Sequence, residues 1–219
     1  FLCYRPSPAS PAVSASPAAA GRGITFASFN NYAKMRPDVM ALWAEILARV
    51  PHSRLVLKAI GLGDAASRAA VAQNFAAHGI GADRLIVHGP APSFAEHLAF
   101  YADVDIALDT YPYNGTTTTC EALWMGVPVV TLAGPTHVSR VGASLLNAVG
   151  LADLVAATPQ DYVARAVALA GDVAALAALR ADMRARMAAS PLMDEVGFAR
   201  KVEDAYLAMW QRYCAGRGK

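Results

Sequence analysis

Short apolar runs alternate with amphipathic stretches along most of this chain. Residues 24–29 read as a strand. Over 37–50, Val39, Leu42, Trp43, Ile46, Leu47 and Val50 recur on one face of a helix, and Pro37 suits its first turn. A strand over 54–60 is bounded by Gly61-Leu62-Gly63, and an amphipathic helix over 64–78 ends at Gly79. The alternation continues with a strand at 85–88, a short helix at 93–101, a strand at 104–108 and a helix at 118–125 stopped by Gly126. A strand at 128–132, a helix at 137–149 ended by Gly150 and a short strand near Leu154-Val155 complete it. From Pro159 the pattern is helical only, over 159–170, 172–188 and 195–213. No repeat of solenoid period is present.

Short apolar strands separated by helices predict an α/β fold, a Rossmann-like parallel sheet of about six strands with helices on both faces. Three parts are expected: an extended linker over 1–22, rich in Pro, Ala and Ser; a Rossmann-like lobe over 23–157; and C-terminal helices over 158–219 packed outside the sheet. Disorder at a chain end is the other reading of the Pro/Ala/Ser stretch.

Composition narrows the class. The 219 residues are 55% hydrophobic and 16% charged, enough to bury a substantial core. A net charge of +2 without a basic stripe argues against nucleic acid. No apolar run approaches the roughly 20 residues of a membrane span. Cys3, Cys120 and Cys214 form no CxxC pair and no disulfide framework, which fits a reduced, cytoplasmic compartment. The start at Phe1 has neither a methionine nor a signal-peptide pattern, so a segment of a longer chain is expected.

The most informative segment is Asp109 to Gly126. An apolar strand ends in an acid, followed by a Pro/Asn/Gly turn, four threonines at 116–119 and a helix. A helix start leaves N–H groups unpaired at the positive end of its dipole, and small hydroxyl residues leave room for an anion there. The site lies at the carboxyl end of a parallel strand, where open α/β sheets bind ligands. Glu121, a turn further on, can accept hydrogen bonds from a ribose. The plain alternative is an ordinary threonine-capped helix after an Asn-Gly turn.

Other polar residues follow other strand ends. Asn30, Asn31 and Lys34 follow the first; Lys34 is either a phosphate partner or a solvated surface lysine. The Gly89-Pro90-Ala91-Pro92 loop can read a base edge and His97 can stack on its face, or His97 makes only a local hydrogen bond. Ser93 reads as a helix cap. His137, Ser139 and Arg140 open another helix and favour a structural reading. Asp103 and Asp105 read as a turn and a strand residue rather than a metal motif, and no His/Cys/Asp cluster has metal spacing. Gly61-Leu62-Gly63 is too short for GxGxxG, and GxxxxGK[ST] and GxSxG are absent, which argues against NAD or FAD, P-loop and α/β-hydrolase chemistry.

Taken together, residues 29–34, Gly89-Pro90-Ala91-Pro92 with His97, 109–128 and 139–146 resemble the C-terminal lobe of the protein O-linked N-acetylglucosamine transferases, most of all the bacterial members. The resemblance runs from about residue 1 to 214 and implies a GT-B fold, with a preceding N-terminal lobe and tetratricopeptide repeats that hold the acceptor protein. It implies transfer of N-acetylglucosamine from its UDP donor to Ser or Thr hydroxyls of a protein or peptide, without a metal or other cofactor. By this resemblance Asn31 and Lys34 lie near the diphosphate, and Lys34 acts catalytically by stabilising the departing UDP. The Ala91 backbone contacts uracil and His97 stacks on it. Thr116, Thr117 and Thr118 bind the phosphates, and Glu121 holds the ribose. The last helix, with Phe198, Tyr206, Trp210 and Tyr213, crosses back to the N-terminal lobe. The animal enzymes have glutamine where Asn31 stands, lysine for Ser93, histidine for Thr116 and aspartate for Glu121, so weaker donor binding is expected. Two other readings remain: a different GT-B enzyme (an epimerase of the same UDP-sugar, or a glycan or lipid glycosyltransferase), and a UDP-sugar-binding module without turnover.

Overall fold

The computed structural model describes residues 2–216. Six strands form one parallel sheet in the order β3-β2-β1-β4-β5-β6: β1 (Thr25–Ser28), β2 (Arg54–Lys58), β3 (Leu85–His88), β4 (Ile106–Leu108), β5 (Val129–Leu132) and β6 (Val155–Ala156). All five pairings are parallel. The strand order reverses between β1 and β4, and this opens a crevice at the carboxyl edge of the sheet.

Side chains leave a strand on alternate faces, and the sheet divides its apolar residues accordingly. Phe26, Leu55, Leu57, Ile106, Leu108 and Val130 face one core. There they meet α1 (Pro37–Arg49), α2 (Ala65–Ala77) and α6 (Pro159–Ala170) through Trp43, Phe75 and Tyr162. Ala27, Val56, Ala107 and Val129 face the other core, with α3 (Phe94–Ala99), α4 (Thr117–Trp124), α5 (Val141–Ala148) and Met183 and Met187 of α7 (Val173–Ala188). Burial on both faces explains why the strands are apolar runs and not apolar/polar alternations.

The expected elements are present with shifted ends. Helix 93–101 stops as an α-helix at Ala99 and continues as a 3-10 turn, Phe100–Asp103. The strand expected over 54–60 ends at Lys58, because Ile60–Leu62 turns into a 3-10 helix. The strand expected over 104–108 begins at Ile106. Asp105, just before it, still donates its N–H to Thr25 O of β1 at 2.9 Å, and its carboxylate accepts from Ser16 Oγ (2.9 Å), the Ala18 N–H and the Thr25 N–H (both 3.0 Å).

The Pro/Ala/Ser segment lies against the lobe. The Tyr4 N–H donates to Leu192 O at 2.8 Å, and the buried Arg180 of α7 donates to Ser14 O at 2.7 Å. The same guanidinium donates to Val104 O (2.6 Å) and Tyr101 O (2.9 Å), tying three segments together. The last helix, α8 (Glu195–Gly216), stands apart: Tyr206, Leu207 and Trp210 are 66%, 55% and 61% exposed. Among the described residues, no single helix is long and apolar enough to cross a membrane.

Candidate functional site

The residues after β1, β2, β3 and β4 converge on the crevice. A cleft of about 450 Å³ is lined by Phe29, Asn30, Asn31, Lys58, Pro90, Ala91, Phe94 and His97 among others. Ile60 and Phe94, exposed at its rim, give it an apolar mouth.

The Thr-rich turn is built around Asp109. This buried carboxylate accepts from the Thr131 hydroxyl (2.6 Å), the Gly115 N–H (2.7 Å) and the Thr110 N–H (2.9 Å). Burial pushes its carboxyl up to about 6, opposed by those hydrogen bonds and by the Lys34 charge. Tyr162 fixes the same corner from α6: its hydroxyl donates to Asp109 O at 2.9 Å and accepts from Trp43 Nε1 at 3.0 Å. A Cβ on Gly115 would lie 2.6 Å from Thr118 Oγ1 and 2.8 Å from Asn30 Oδ1, so only glycine permits this approach.

The start of α4 is therefore held in place but not capped by a side chain. Thr116 is the cap residue and makes no side-chain capping bond. Thr118 Oγ1 donates sideways to Asn30 Oδ1 at 3.0 Å, and Thr119 Oγ1 donates back to Gly115 O at 3.1 Å. The first N–H groups of the helix are left for an external acceptor. This departs from the plain capped-helix reading. By contrast, Ser93 does cap α3, accepting from the Glu96 N–H at 3.2 Å.

Lys34 sits beside this helix start. Its ammonium donates to Asn114 O at 3.0 Å and lies 3.9 Å from the centre of the Tyr113 ring. Burial lowers its basicity, opposed by Asp109. Asn31 is engaged locally: its Oδ1 accepts from the Ala33 N–H at 3.0 Å and caps the turn that carries Lys34. Ala91 lies on the cleft wall. Glu121, 4% exposed, does not point at open solvent; its Oε2 accepts from His97 Nε2 at 2.9 Å.

Sequence reasoning passed over three groups at this site. Lys58, at the end of β2, contacts His97 Nδ1. Phe94 stacks on His97 with ring centres 5.8 Å apart and planes at 20°. Asn114 bridges the turn to α5, where its Oδ1 accepts from the Gly142 N–H at 3.3 Å. The signal for Lys58 was present: a lysine directly after the apolar run Leu55–Leu57 of a central strand needs a buried partner.

His137 and Arg140 line a separate groove on α5, and Ser139 forms a capping box with Thr136. Asp103 pairs with Arg22 at 3.1 Å on the surface. No group of three or more His, Cys, Asp or Glu residues suited to a metal occurs among the described residues.

Known proteins resemble this chain in sequence and in fold. A probable UDP-N-acetylglucosamine–peptide N-acetylglucosaminyltransferase SPINDLY of Petunia hybrida is 45% identical over 216 residues, 99% of this chain and 23% of that protein. The corresponding SEC protein of Arabidopsis thaliana is 35% identical over 194 residues, 88% of this chain and 19% of that protein. The structure of a mutant O-GlcNAc transferase from Thermobaculum terrenum superposes with a TM-score of 0.89 at 38% identity, covering 96% of this chain and 39% of that one. The fold is that of the C-terminal lobe of a GT-B glycosyltransferase. The chain thus spans about a quarter of the length of the curated relatives it matches. The profile of glycosyl transferase family 41 matches residues 16–202, and the chain belongs to that family.

Proposed function

We propose that this chain is the nucleotide-sugar-binding half of an inverting glycosyltransferase that moves N-acetylglucosamine from UDP to Ser or Thr hydroxyls of a protein. The observation that carries the reading is the uncapped start of α4, flanked by the Lys34 ammonium and opening on the cleft of Ala91 and His97. Family membership and the names of the plant relatives support the donor and the protein acceptor.

In this reading the diphosphate sits on the N–H groups and hydroxyls of Thr116, Thr117 and Thr118, with Lys34 on its flank. The acceptor oxygen attacks the anomeric carbon as the bond to the β-phosphate oxygen breaks, and the electron pair leaves with UDP. Fixed positive charge at that oxygen is worth more as the bond breaks than before it, and this lowers the barrier. The helix dipole and Lys34 supply the charge that a metal supplies elsewhere, so no metal is required. Asn31 positions Lys34 through the turn it caps. The uracil packs between the Ala91 backbone and His97, and the free oxygen of Glu121 takes the ribose.

The greater length of the relatives supports a preceding N-terminal lobe and tetratricopeptide repeats that bring the general base and the acceptor. Residues 1–22 would lead from that lobe, 23–157 form the donor lobe, and 158–219 return towards it.

The test is transfer of labelled N-acetylglucosamine to a Ser/Thr peptide by the full-length enzyme and its Lys34→Ala variant. Turnover is expected to fall about 100-fold or more, the scale for losing one charge-stabilising donor. Affinity for UDP is expected to fall less than turnover. Equal loss of both, or undiminished turnover, contradicts the catalytic role of Lys34. Transfer from a GDP-sugar in preference to the UDP-sugar contradicts the donor.

A further inference from the structure

Resting on the nucleotide reading of the cleft, we propose that Lys58 is a positioning residue for the base: it locks His97 as the neutral Nε2–H tautomer with its ring plane fixed. Lys58 is 3% exposed, so its ammonium cannot rely on water and must find partners inside. It finds His97 twice, at ring Nδ1 and at the backbone carbonyl oxygen (3.3 Å). The Phe29 and Phe100 rings, with centres 4.5 and 4.6 Å away, complete its surroundings as cation–π partners.

The chemistry of the three groups assigns the protons. An ammonium has three donors and no acceptor, so Nδ1 must accept. An ionised carboxylate only accepts, so Nε2 must carry the hydrogen that faces Glu121 Oε2 at 2.9 Å. Burial pushes Lys58 down to about 8, opposed by Glu121. The two aromatic rings that pack against Lys58 Nζ favour a cation there, so the shared proton stays on the lysine. The ionisable groups around the relay are Lys58 from β2, its ladder neighbour His88 from β3, Glu121 and Cys120 from α4, Tyr101 from the following turn and Tyr4 from the N-terminal segment. Of these, only Lys58 and Glu121 touch the imidazole nitrogens.

Two consequences follow for the ligand. An imidazole held at both nitrogens and at its own carbonyl cannot swing, so a base stacking on the side that Phe94 does not cover meets a ring already ordered, at little entropic cost. Glu121 spends one oxygen on Nε2–H and keeps the other for the ribose, so base and sugar are placed by one relay that begins at Lys58.

Two measurements test this. In histidine-¹⁵N spectra of the protein at pH 7, His97 should show an unprotonated Nδ1 and a protonated Nε2; an Nδ1–H tautomer or an imidazolium overturns the proposal. UDP and inorganic pyrophosphate are then titrated into wild type and Lys58→Met between pH 6 and 8. The variant should bind UDP about tenfold more weakly, the loss of one charge-assisted hydrogen bond. Pyrophosphate binding should stay within about twofold, since it carries no base. UDP binding that is unchanged by Lys58→Met in strength overturns the proposal while leaving the nucleotide site standing. A wild type that binds pyrophosphate but not UDP defeats the base-site reading itself. Should Lys58→Met fail to fold, the wild-type spectrum alone decides the tautomer.

Discussion

Asp109 shows what a residue can hide in sequence. It reads as the acid that ends a strand, yet it is the internal pivot of the Thr-rich turn, with three donors on one buried carboxylate. Nothing local in Asp-Thr-Tyr-Pro reveals that Thr131, on the neighbouring strand, supplies the shortest of them. Its burial has a thermodynamic sign. The folded state raises this carboxyl from 3.8 to about 6, so the fold holds the proton more tightly than the unfolded chain does. The group's stabilising contribution is present below about pH 4 and is lost as pH rises through about 6. Asp109→Asn keeps the shape and removes the titration. Stabilities from urea unfolding at pH 4.5 and 7 should lose a difference on the order of 2 kcal/mol that wild type shows; an unchanged difference assigns it to other groups. Gly142 faces the same carboxylate: a Cβ there would stand 2.1 Å from Thr131 Oγ1 and 2.7 Å from Asp109 Oδ2. Gly142→Ala should therefore cost about 1–3 kcal/mol in chemical denaturation, the range for overpacking a tight site. A neutral result would mean that the turn yields freely. Lys34 and the threonines were legible as candidates because strand ends are where such sheets bind. The relay of Lys58, His97 and Glu121 was not, because its members come from three elements distant in sequence.

At the scale of elements, the sequence pattern found every strand and α-helix of the lobe, because both sheet faces are buried and helices such as α1 carry a clear apolar stripe. The errors sit at ends where tertiary contacts outweigh local pattern. β4 begins just after Asp105, whose carboxylate holds both the N-terminal segment and the start of β1, and α3 gives way early to a 3-10 turn. That N-terminal segment had no periodicity to read, since its order comes from partners distant in sequence, among them Asp105, Leu192 O and the arginines of α7. Arg180 alone binds Ser14 O, Val104 O and Tyr101 O. Arg180→Ala should cost about 3 kcal/mol or more, because buried carbonyls lose their donor together. Hydrogen exchange over residues 11–18 should then accelerate well beyond that of the sheet. Unaltered protection there would show that the segment is held by other contacts. Tyr162→Phe tests the other clamp: removing a hydroxyl bonded to both Asp109 O and Trp43 Nε1 should cost about 1–3 kcal/mol.

The whole molecule has a finished sheet and an unfinished surface. Helix α8, 22 residues and roughly 33 Å long, presents Val196, Tyr206, Leu207, Met209, Trp210 and Tyr213 to solvent. In the proposed full-length enzyme this stripe faces the N-terminal lobe, so Trp210→Ala should destabilise that enzyme and leave the 219-residue chain's midpoint unchanged; equal effects on both would place the stripe's partner within this chain. The central claim concerns the crevice where the strand order reverses, and calorimetry reaches it directly. UDP, with UMP and GDP as controls, is titrated into the protein and into Lys34→Ala and Glu121→Ala. Binding that prefers UDP over both controls and weakens about tenfold or more in each variant, the scale of one lost charge-assisted bond, is the predicted result. No UDP binding, or binding indifferent to both substitutions, would contradict the account and leave the threonine turn as nothing more than a helix start.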